Sequence, residues 1–365
     1  MDHNYNYNYN CKHNHTSMDE YDCEDEVLSS DGEIDVDIDE EYRGTILKKR
    51  YIILKYINKG TFSRIFLIYD THMDLFMATK KYDQENYYIA KSETDFLNQI
   101  KNDHVIKIYD SFIDSKSVYL IVELLGDSVH DILYNNNQLS HIEIRNIMKH
   151  IIIGIGSLHN QGIIHCDIKT ENILYSQLNP QLTQLMSYLL QFNLKSIKNE
   201  FHDYISMEID SQPIVTENTI CALRDYILNK MTLYVENKKG DTVTDKTGLY
   251  KIIDMGSAEY EHNIEYNTVY QKLYRPPEVI HGNKYSCKSD IWVIGCIFYE
   301  LLTNEILVPN MSIYQDIKHN MNFIKDHLLI FNFNDNIVEL LTNMIQYDEE
   351  NRQTCTELLN SSFFK

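Results

Sequence analysis

His165-Cys166-Asp167-Ile168-Lys169-Thr170-Glu171-Asn172-Ile173-Leu174 sets the terms on which the rest of this 365-residue chain is read. A carboxylate, a lysine two residues on and an asparagine five residues on share one short loop. Asp167 can orient a hydroxyl and accept its proton. Lys169 can neutralise charge on a phosphoryl group in transit, and Asn172 can hold Mg²⁺ through its amide oxygen. Chance does not readily produce the whole string.

Three further motifs lie around it, each weaker alone. Ile57 and Asn58-Lys59-Gly60-Thr61-Phe62-Ser63-Arg64-Ile65 fall at a turn between two predicted strands. Phosphoryl transfer needs backbone N–H groups close to phosphate oxygens, and glycine permits that approach. Only the middle glycine of a G-x-G-x-x-G pattern is present, as Gly60, and a glycine in a hairpin is usually just a turn. In Met77-Ala78-Thr79-Lys80, strand alternation puts Ala78 and Lys80 on one face. A small residue leaves room for adenine, and the lysine beside it reaches phosphates. Glu93, on the helix that follows, can pair with Lys80. The plainer alternative is a surface lysine, with Lys81 as the competing frame. Asp254-Met255-Gly256 follows the apolar strand Tyr250-Lys251-Ile252-Ile253. Asp254 can bind a Mg²⁺ that bridges phosphates. A lone D-x-G is usually a turn, but its order after Asn172 gives it weight.

Periodicity organises the chain around these motifs. Tyr51–Asp70 reads as strand, glycine turn, strand. Phe76–Tyr82, Val105–Phe112 and Val118–Glu123 add three strands, and Ala90–Ile100 is a short amphipathic helix with Phe96, Leu97 and Ile100 on one face. Five strands and one helix make a small lobe. Ile147, Met148, Ile151, Ile152, Ile155 and Leu158 recur at helical spacing and predict a buried helix beyond it. Residues 176–248 separate Asn172 from Asp254 and read as an insertion. Gln184–Ile197 and Ile220–Leu233 have helical periodicity, and Glu236–Thr247 is polar.

Composition narrows the function classes. The net charge is −21, and residues 1–42 hold fourteen acidic residues against Lys12, which leaves −8 for the rest. That segment alternates Asn and Tyr before its acidic run and is expected to be disordered. His3, Cys11, His13, His15 and Cys23 match no closed zinc spacing. A mildly acidic body argues against nucleic-acid binding through a basic face and would suit basic peptide substrates, although solubility alone explains the charge as well. No stretch approaches the ~20 apolar residues that span a bilayer. Seven scattered cysteines fit a reducing compartment, so an intracellular protein of cytoplasm or nucleus (of a host cell, were the source viral) is expected.

In this order the four motifs resemble the protein-kinase signature set, over about residues 43–365. Tyr274-Arg275-Pro276-Pro277-Glu278 resembles the end of the kinase activation segment. Ser289-Asp290-Ile291-Trp292-Val293-Ile294-Gly295 resembles the helix whose Asp braces the catalytic loop, and Arg352 the arginine that pairs with the segment-ending Glu, here Glu278. Gly44–Tyr51, Glu123-Leu124-Leu125-Gly126 and Ser63 in place of the third glycine are similar to SR-protein kinases and CDC-like (LAMMER) kinases of the CMGC group. The long spacer before Asp254 is most like the SR-protein kinases. Asp254-Met255-Gly256-Ser257-Ala258 leans toward the CDC-like and dual-specificity tyrosine-regulated kinases.

The resemblance implies an α+β, two-lobe kinase fold. An antiparallel β lobe with one helix (43–123) packs on a mainly helical lobe (124–365), with ATP in the cleft. It implies Asp167 and Lys169 as catalytic, Asn172 and Asp254 on Mg²⁺, and a nucleotide site made of residues 57–65, Ala78, Lys80, Glu93 and the hinge residues Glu123 and Leu125. The implied activity is Ser/Thr protein kinase activity on protein substrates, with Arg/Ser-rich basic proteins as the family-level expectation. The alternatives are a pseudokinase scaffold and a small-molecule kinase. Pseudokinases usually lose the counterpart of Lys80, Asp167 or Asp254, and none is lost here. Tyr274–Glu278 is a protein-substrate feature. Four departures stand out. Asn58 replaces the first glycine, and Thr170 replaces a proline. Cys166 replaces an arginine that binds a phosphorylated activation loop, so activity without that phosphorylation is expected. Gln271 replaces a threonine that contacts the counterparts of Asp167 and Lys169, a contact its amide could make instead.

Overall fold

The computed structural model describes residues 45–73, 75–136, 139–178, 248–264, 269–308, 310–320, 323–328 and 333–365, with Tyr42, Thr183 and Phe331. The acidic segment before Tyr42 and the predicted helices inside the insertion lie outside the described residues. Among the described residues, no helix is long and apolar enough to cross a membrane.

The small lobe is a sheet of six strands rather than the five expected: β1 (Ile46–Leu47), β2 (Tyr51–Lys59), β3 (Ser63–Asp70), β4 (Leu75–Asp83), β5 (Ile108–Asp114) and β6 (Ser117–Glu123). They pair antiparallel in the order β1-β2-β3-β4-β6-β5. The additional strand has two residues, too short for alternation to register. It turns back through Lys48 and Lys49, both left-handed at φ 50° and 51°, the geometry of a tight hairpin turn.

Alternation then divides the lobe. Met77 lies on the outer face, in a cluster with Leu47, Tyr51, Ile53, Phe66, Ile68, Tyr119 and Ile121. Tyr82, on the opposite parity, packs with Ala90, Val118 and Leu120 under helix α1 (Tyr87–Gln99). Helix α1 begins three residues before the predicted Ala90, and buries Phe96 and Leu97 as its periodicity requires. β5 begins at Ile108, three residues later than predicted. Val105 and Ile106 are instead spent on the seam between lobes: Val105 bridges Ile252 in parallel, and Ile106 N–H donates to Ile252 O at 2.9 Å.

The large lobe runs through α2 (Val129–Asn136), α3 (His141–His159), β7 (Ile163–Ile164), β8 (Ile173–Tyr175), β9 (Tyr250–Ile252), β10 (Glu259–Tyr260), α4 (Pro277–Ile280), α5 (Cys287–Thr303), α6 (Met311–His319), α7 (Phe323–Leu328), α8 (Asp335–Met344) and α9 (Cys355–Leu359). α3 starts where Ser140 and Glu143 cap it reciprocally. Its apolar stripe, Ile144 to Leu158, is buried as its spacing predicts. α5 is buried on all sides from Ser289 to Tyr299, so it forms the axis of the lobe.

Two glycines mark close approaches. A Cβ on Gly154 of α3 would lie 2.8 Å from His104 O, so Gly154 lets the helix reach the seam. A Cβ on Gly126 would lie 2.0 Å from Gln177 O, so no side chain fits where the hinge passes the end of β8. β8 and β9 pair antiparallel, which brings the two ends of the insertion together. Ser176 N–H donates to Leu249 O, and Leu249 N–H to the Ser176 hydroxyl, both at 2.8 Å.

Candidate active site

The catalytic loop is held from below. Buried Asp290 on α5 accepts from His165 N–H at 2.9 Å, Cys166 N–H at 3.3 Å, the Tyr270 hydroxyl at 3.0 Å and His159 Nε2 at 2.9 Å. Burial would raise the Asp290 pKa, but the bond to His159 overrides it and holds the carboxyl below its usual range. Burial likewise opposes charge on His159, yet its bond to Asp290 lifts it to about 10, so it is a cation at neutral pH. A charged pair so deep survives because the loop amides and the Tyr270 hydroxyl supply further donors to the carboxylate.

Above this brace, Lys169 Nζ lies 3.1 Å from Asp167 Oδ2. Asn172 Nδ2 donates to Asp167 O at 2.9 Å and Oδ2 at 3.1 Å. The amide nitrogen is committed to Asp167, which leaves Asn172 its oxygen for a cation. Ile253 N–H donates to Asn172 O at 3.0 Å, so Asn172 and Asp254 are set beside one another by a backbone bond. These are hard oxygen donors, suited to Mg²⁺, which keeps waters and phosphate oxygens as its other ligands.

Lys80 resolves the choice of frame. Its ammonium bonds both Glu93 oxygens, at 2.7 and 2.8 Å, and Asp254 Oδ1 at 2.8 Å. Lys81 points to the other face, onto Asp83 at 2.8 Å and over the Tyr42 ring. Burial alone would lower the Lys80 pKa, but Glu93 and Asp254 outweigh it and hold it well above the ordinary value. Asp254 is depressed by Lys80 against the effect of burial. Asp254 also adopts a left-handed φ of 65°, as do Cys166 at 67° and Tyr270 at 68°. Non-glycine residues pay for that conformation, and these three surround the loop.

The phosphate loop is closed by Gly60 N–H donating to Ser63 O at 2.8 Å. A Cβ at Gly60 would meet Ser63 Oγ at 3.3 Å, which is tight. Asn58 Oδ1 accepts from Lys59 N–H at 2.7 Å, so the residue in the first glycine's place consumes an amide of the loop. Asn86, just before α1, donates to Phe62 O at 3.2 Å and tethers the tip. Ile57, Thr61 and Phe62 are exposed, and Arg64 turns outward to Asp83 at 3.0 Å. Ile65 faces the large core, as does Ala78, which lies opposite Val122 on β6.

At the hinge the Glu123 side chain is occupied. It accepts from Lys251 Nζ at 2.7 and 2.9 Å and from Lys107 N–H at 2.8 Å. The Glu123 N–H also donates, to Lys107 O at 3.0 Å, and buried Leu125 follows two residues on. The Gln271 side-chain oxygen is buried with no hydrogen-bond partner, so that oxygen does not stand in for the missing threonine. Sequence reasoning missed Tyr82, whose hydroxyl donates to Glu93 Oε2. The signal was there: Tyr82 has the strand parity of Lys80.

The profile of the protein kinase domain family matches residues 51–188 and 186–364. The chain is 28% identical over 275 residues to a probable serine/threonine-protein kinase, clkA, of Dictyostelium discoideum, covering 71% of this chain and 25% of that protein. It is 26% identical over 273 residues to the human dual specificity tyrosine-phosphorylation-regulated kinase 3, covering 72% and 35%. It is 28% identical over 283 residues to the serine/threonine-protein kinase SRPK of Physarum polycephalum, covering 72% and 63%. The chain therefore spans less than two thirds of the length of these relatives. A crystal structure of a kinase domain superposes with a TM-score of 0.61 at 19% identity, over 90% of this chain and 100% of that one, and speaks to the fold.

Proposed function

This chain belongs to the protein kinase domain family, and from that premise we propose that it is a Ser/Thr protein kinase that moves the γ-phosphoryl group of ATP to protein hydroxyls. One observation carries the reading: the Lys80–Glu93–Asp254 cluster and the Asp167–Lys169–Asn172 loop are both assembled, and the Ile253 N–H to Asn172 O bond sets them side by side. Asn172 and Asp254 would hold Mg²⁺, which when bound neutralises charge on the phosphates. Lys80, steadied by Glu93, would align the nucleotide. Asp167 orients the substrate hydroxyl and takes its proton as the new O–P bond forms and ADP departs. Lys169 offsets charge on the transferred group. Most of the rate enhancement would come from positioning and preorganised charge.

The finer reading is a preference for basic, Arg/Ser-rich substrates. It is supported by the SR-protein-kinase likeness and by two carboxylates near the catalytic loop. Glu171 is exposed on the loop, and its charge, after burial, helps keep the nearby Glu300 carboxyl raised while Tyr274 donates to Glu300 at 2.5 Å. Cys166, Cys287, Cys296 and Cys355 are free thiols, in keeping with an intracellular site as part of the same proposal. The test is transfer from labelled Mg-ATP to an Arg/Ser-rich peptide and to a general basic protein, beside Asp167→Asn. Transfer that vanishes in the variant is expected. No transfer by the wild type to either would overturn the reading, and equal rates on neutral Ser peptides would remove the substrate preference.

A further inference from the structure

Glu93 has no exposed surface, so its charge depends entirely on protein donors. Oε1 accepts from Lys80 at 2.7 Å and from Met255 N–H at 3.2 Å. Oε2 accepts from Lys80 at 2.8 Å and from the Tyr82 hydroxyl. The Tyr82 ring is 1% exposed and packs against Ala90, Val118 and Leu120. A phenylalanine would fill that slot equally well, so packing does not account for the hydroxyl. The hydroxyl is buried, and its partner is the one carboxylate that orients Lys80.

The chemistry of binding gives this bond its importance. A bound nucleotide competes for the Lys80 ammonium, which in this structure is divided between Glu93 and Asp254. As phosphate oxygens draw on Lys80, Glu93 loses part of its charge compensation. Tyr82 is neutral, comes from the same strand as the lysine and does not compete for phosphate. Its hydroxyl is therefore the side-chain donor left to Glu93 as phosphate draws on the lysine, and it carries more of the carboxylate's compensation with nucleotide bound than without. It also ties α1 to β4 with no contribution from the activation segment.

We propose that Tyr82 is a positioning residue: its hydroxyl holds Glu93, and through Glu93 the Lys80 ammonium, in the geometry that binds Mg-ATP. The proposal rests on the kinase reading above, and its test is built to fail separately. Full-length wild type, Tyr82→Phe, Glu93→Gln and the double variant are compared in two readouts: kcat/KM for ATP, and the Kd for Mg-ATP by titration calorimetry. A hydrogen bond to a charged group supports an expected loss of about ten-fold in both for Tyr82→Phe, measured at a temperature where its melting curve shows the variant folded. The loss should disappear on the Glu93→Gln background, because the hydroxyl acts through that carboxylate. A Tyr82→Phe enzyme equal to wild type would overturn the proposal. So would the same loss on both backgrounds, which would mark a packing role. Should Phe fail to fold there, Tyr82→Met fills the slot without a hydroxyl and gives the same comparison. A wild type that binds Mg-ATP and transfers nothing would sink the kinase reading, while the coupling of Tyr82 to Glu93 would still be read in Kd.

Discussion

Two buried ion pairs, one in each lobe, show how the same chemistry serves different ends. Arg352 and Glu278 meet at 2.7 and 2.8 Å, and every remaining arm of the guanidinium is used. It donates to Gln346 O at 2.9 Å, Lys288 O at 2.9 Å and Tyr347 O at 3.3 Å, with the Trp292 face 5.2 Å away. Ser289 adds a donor to Glu278. Lys80 and Glu93 meet at the same distance, but one arm of Lys80 is spent on Asp254, whose side chain is 33% exposed. A saturated pair has no exchangeable contact and fixes the lobe. A pair with one exchangeable arm can hand that arm to a ligand.

Changing each pair should separate the two roles. Arg352→Ala leaves Glu278 charged and buried, so a loss of about 3–5 kcal/mol in stability is expected, read by denaturant melts. The protein that remains folded should keep its rate per active site. Lys80→Arg, which keeps a cation beside buried Glu93, should do the reverse: phosphotransfer falls about 10²–10³-fold while the melting curve moves little. If both variants lose stability equally, the contrast between the pairs is wrong.

Smaller effects sharpen it. His104 and His150 stack with ring centroids 4.4 Å apart, and Tyr250 N–H donates to His150 Nδ1 at 3.1 Å, which requires a neutral ring. Burial and the neighbouring His104 hold His150 at about 4, below its ordinary 6.5. A depressed histidine contributes stability above its unfolded value and loses it as pH falls through about 4. The wild type should therefore lose more melting temperature between pH 6.5 and 4 than His150→Phe does. Asn58→Gly frees the Lys59 amide, and a KM for ATP a few-fold lower is expected in steady-state kinetics. Phosphatase treatment should change the rate least of all, because Tyr270 fastens the activation segment to Asp290 through a hydroxyl and its N–H donates to Cys166 O at 3.1 Å. A collapse of activity on dephosphorylation would refute that.

The parts of the site that could be read in advance are those whose chemistry is local. Asp167, Lys169 and Asn172 lie within six residues, so spacing alone declares them. Lys80 over Lys81 follows from strand parity once the strand is recognised. What escaped depends on contacts between distant segments. The β1 strand closes on two lysines rather than on an Asn-Gly pair, and has no turn signature. Val105 has strand character but is spent on the seam with Ile252. That Glu123 would face Lys251, and Tyr82 would face Glu93, follows only when sheet, helix and β9 are assembled.

The staple between Ser176 and Leu249 gives the long spacer a doorway of fixed geometry. Its two ends are joined by backbone and hydroxyl bonds on one short ladder, which stands between Asn172 and Asp254. Closing a flexible loop costs only ~0.6 kcal/mol more for each doubling of its length. A change of length between the two ends is therefore expected to cost little in loop-closure entropy. The fold offers this position as a grafting port, where a reporter or a targeting sequence could be exchanged for the native segment while Asp167 and Asp254 on either side keep their register.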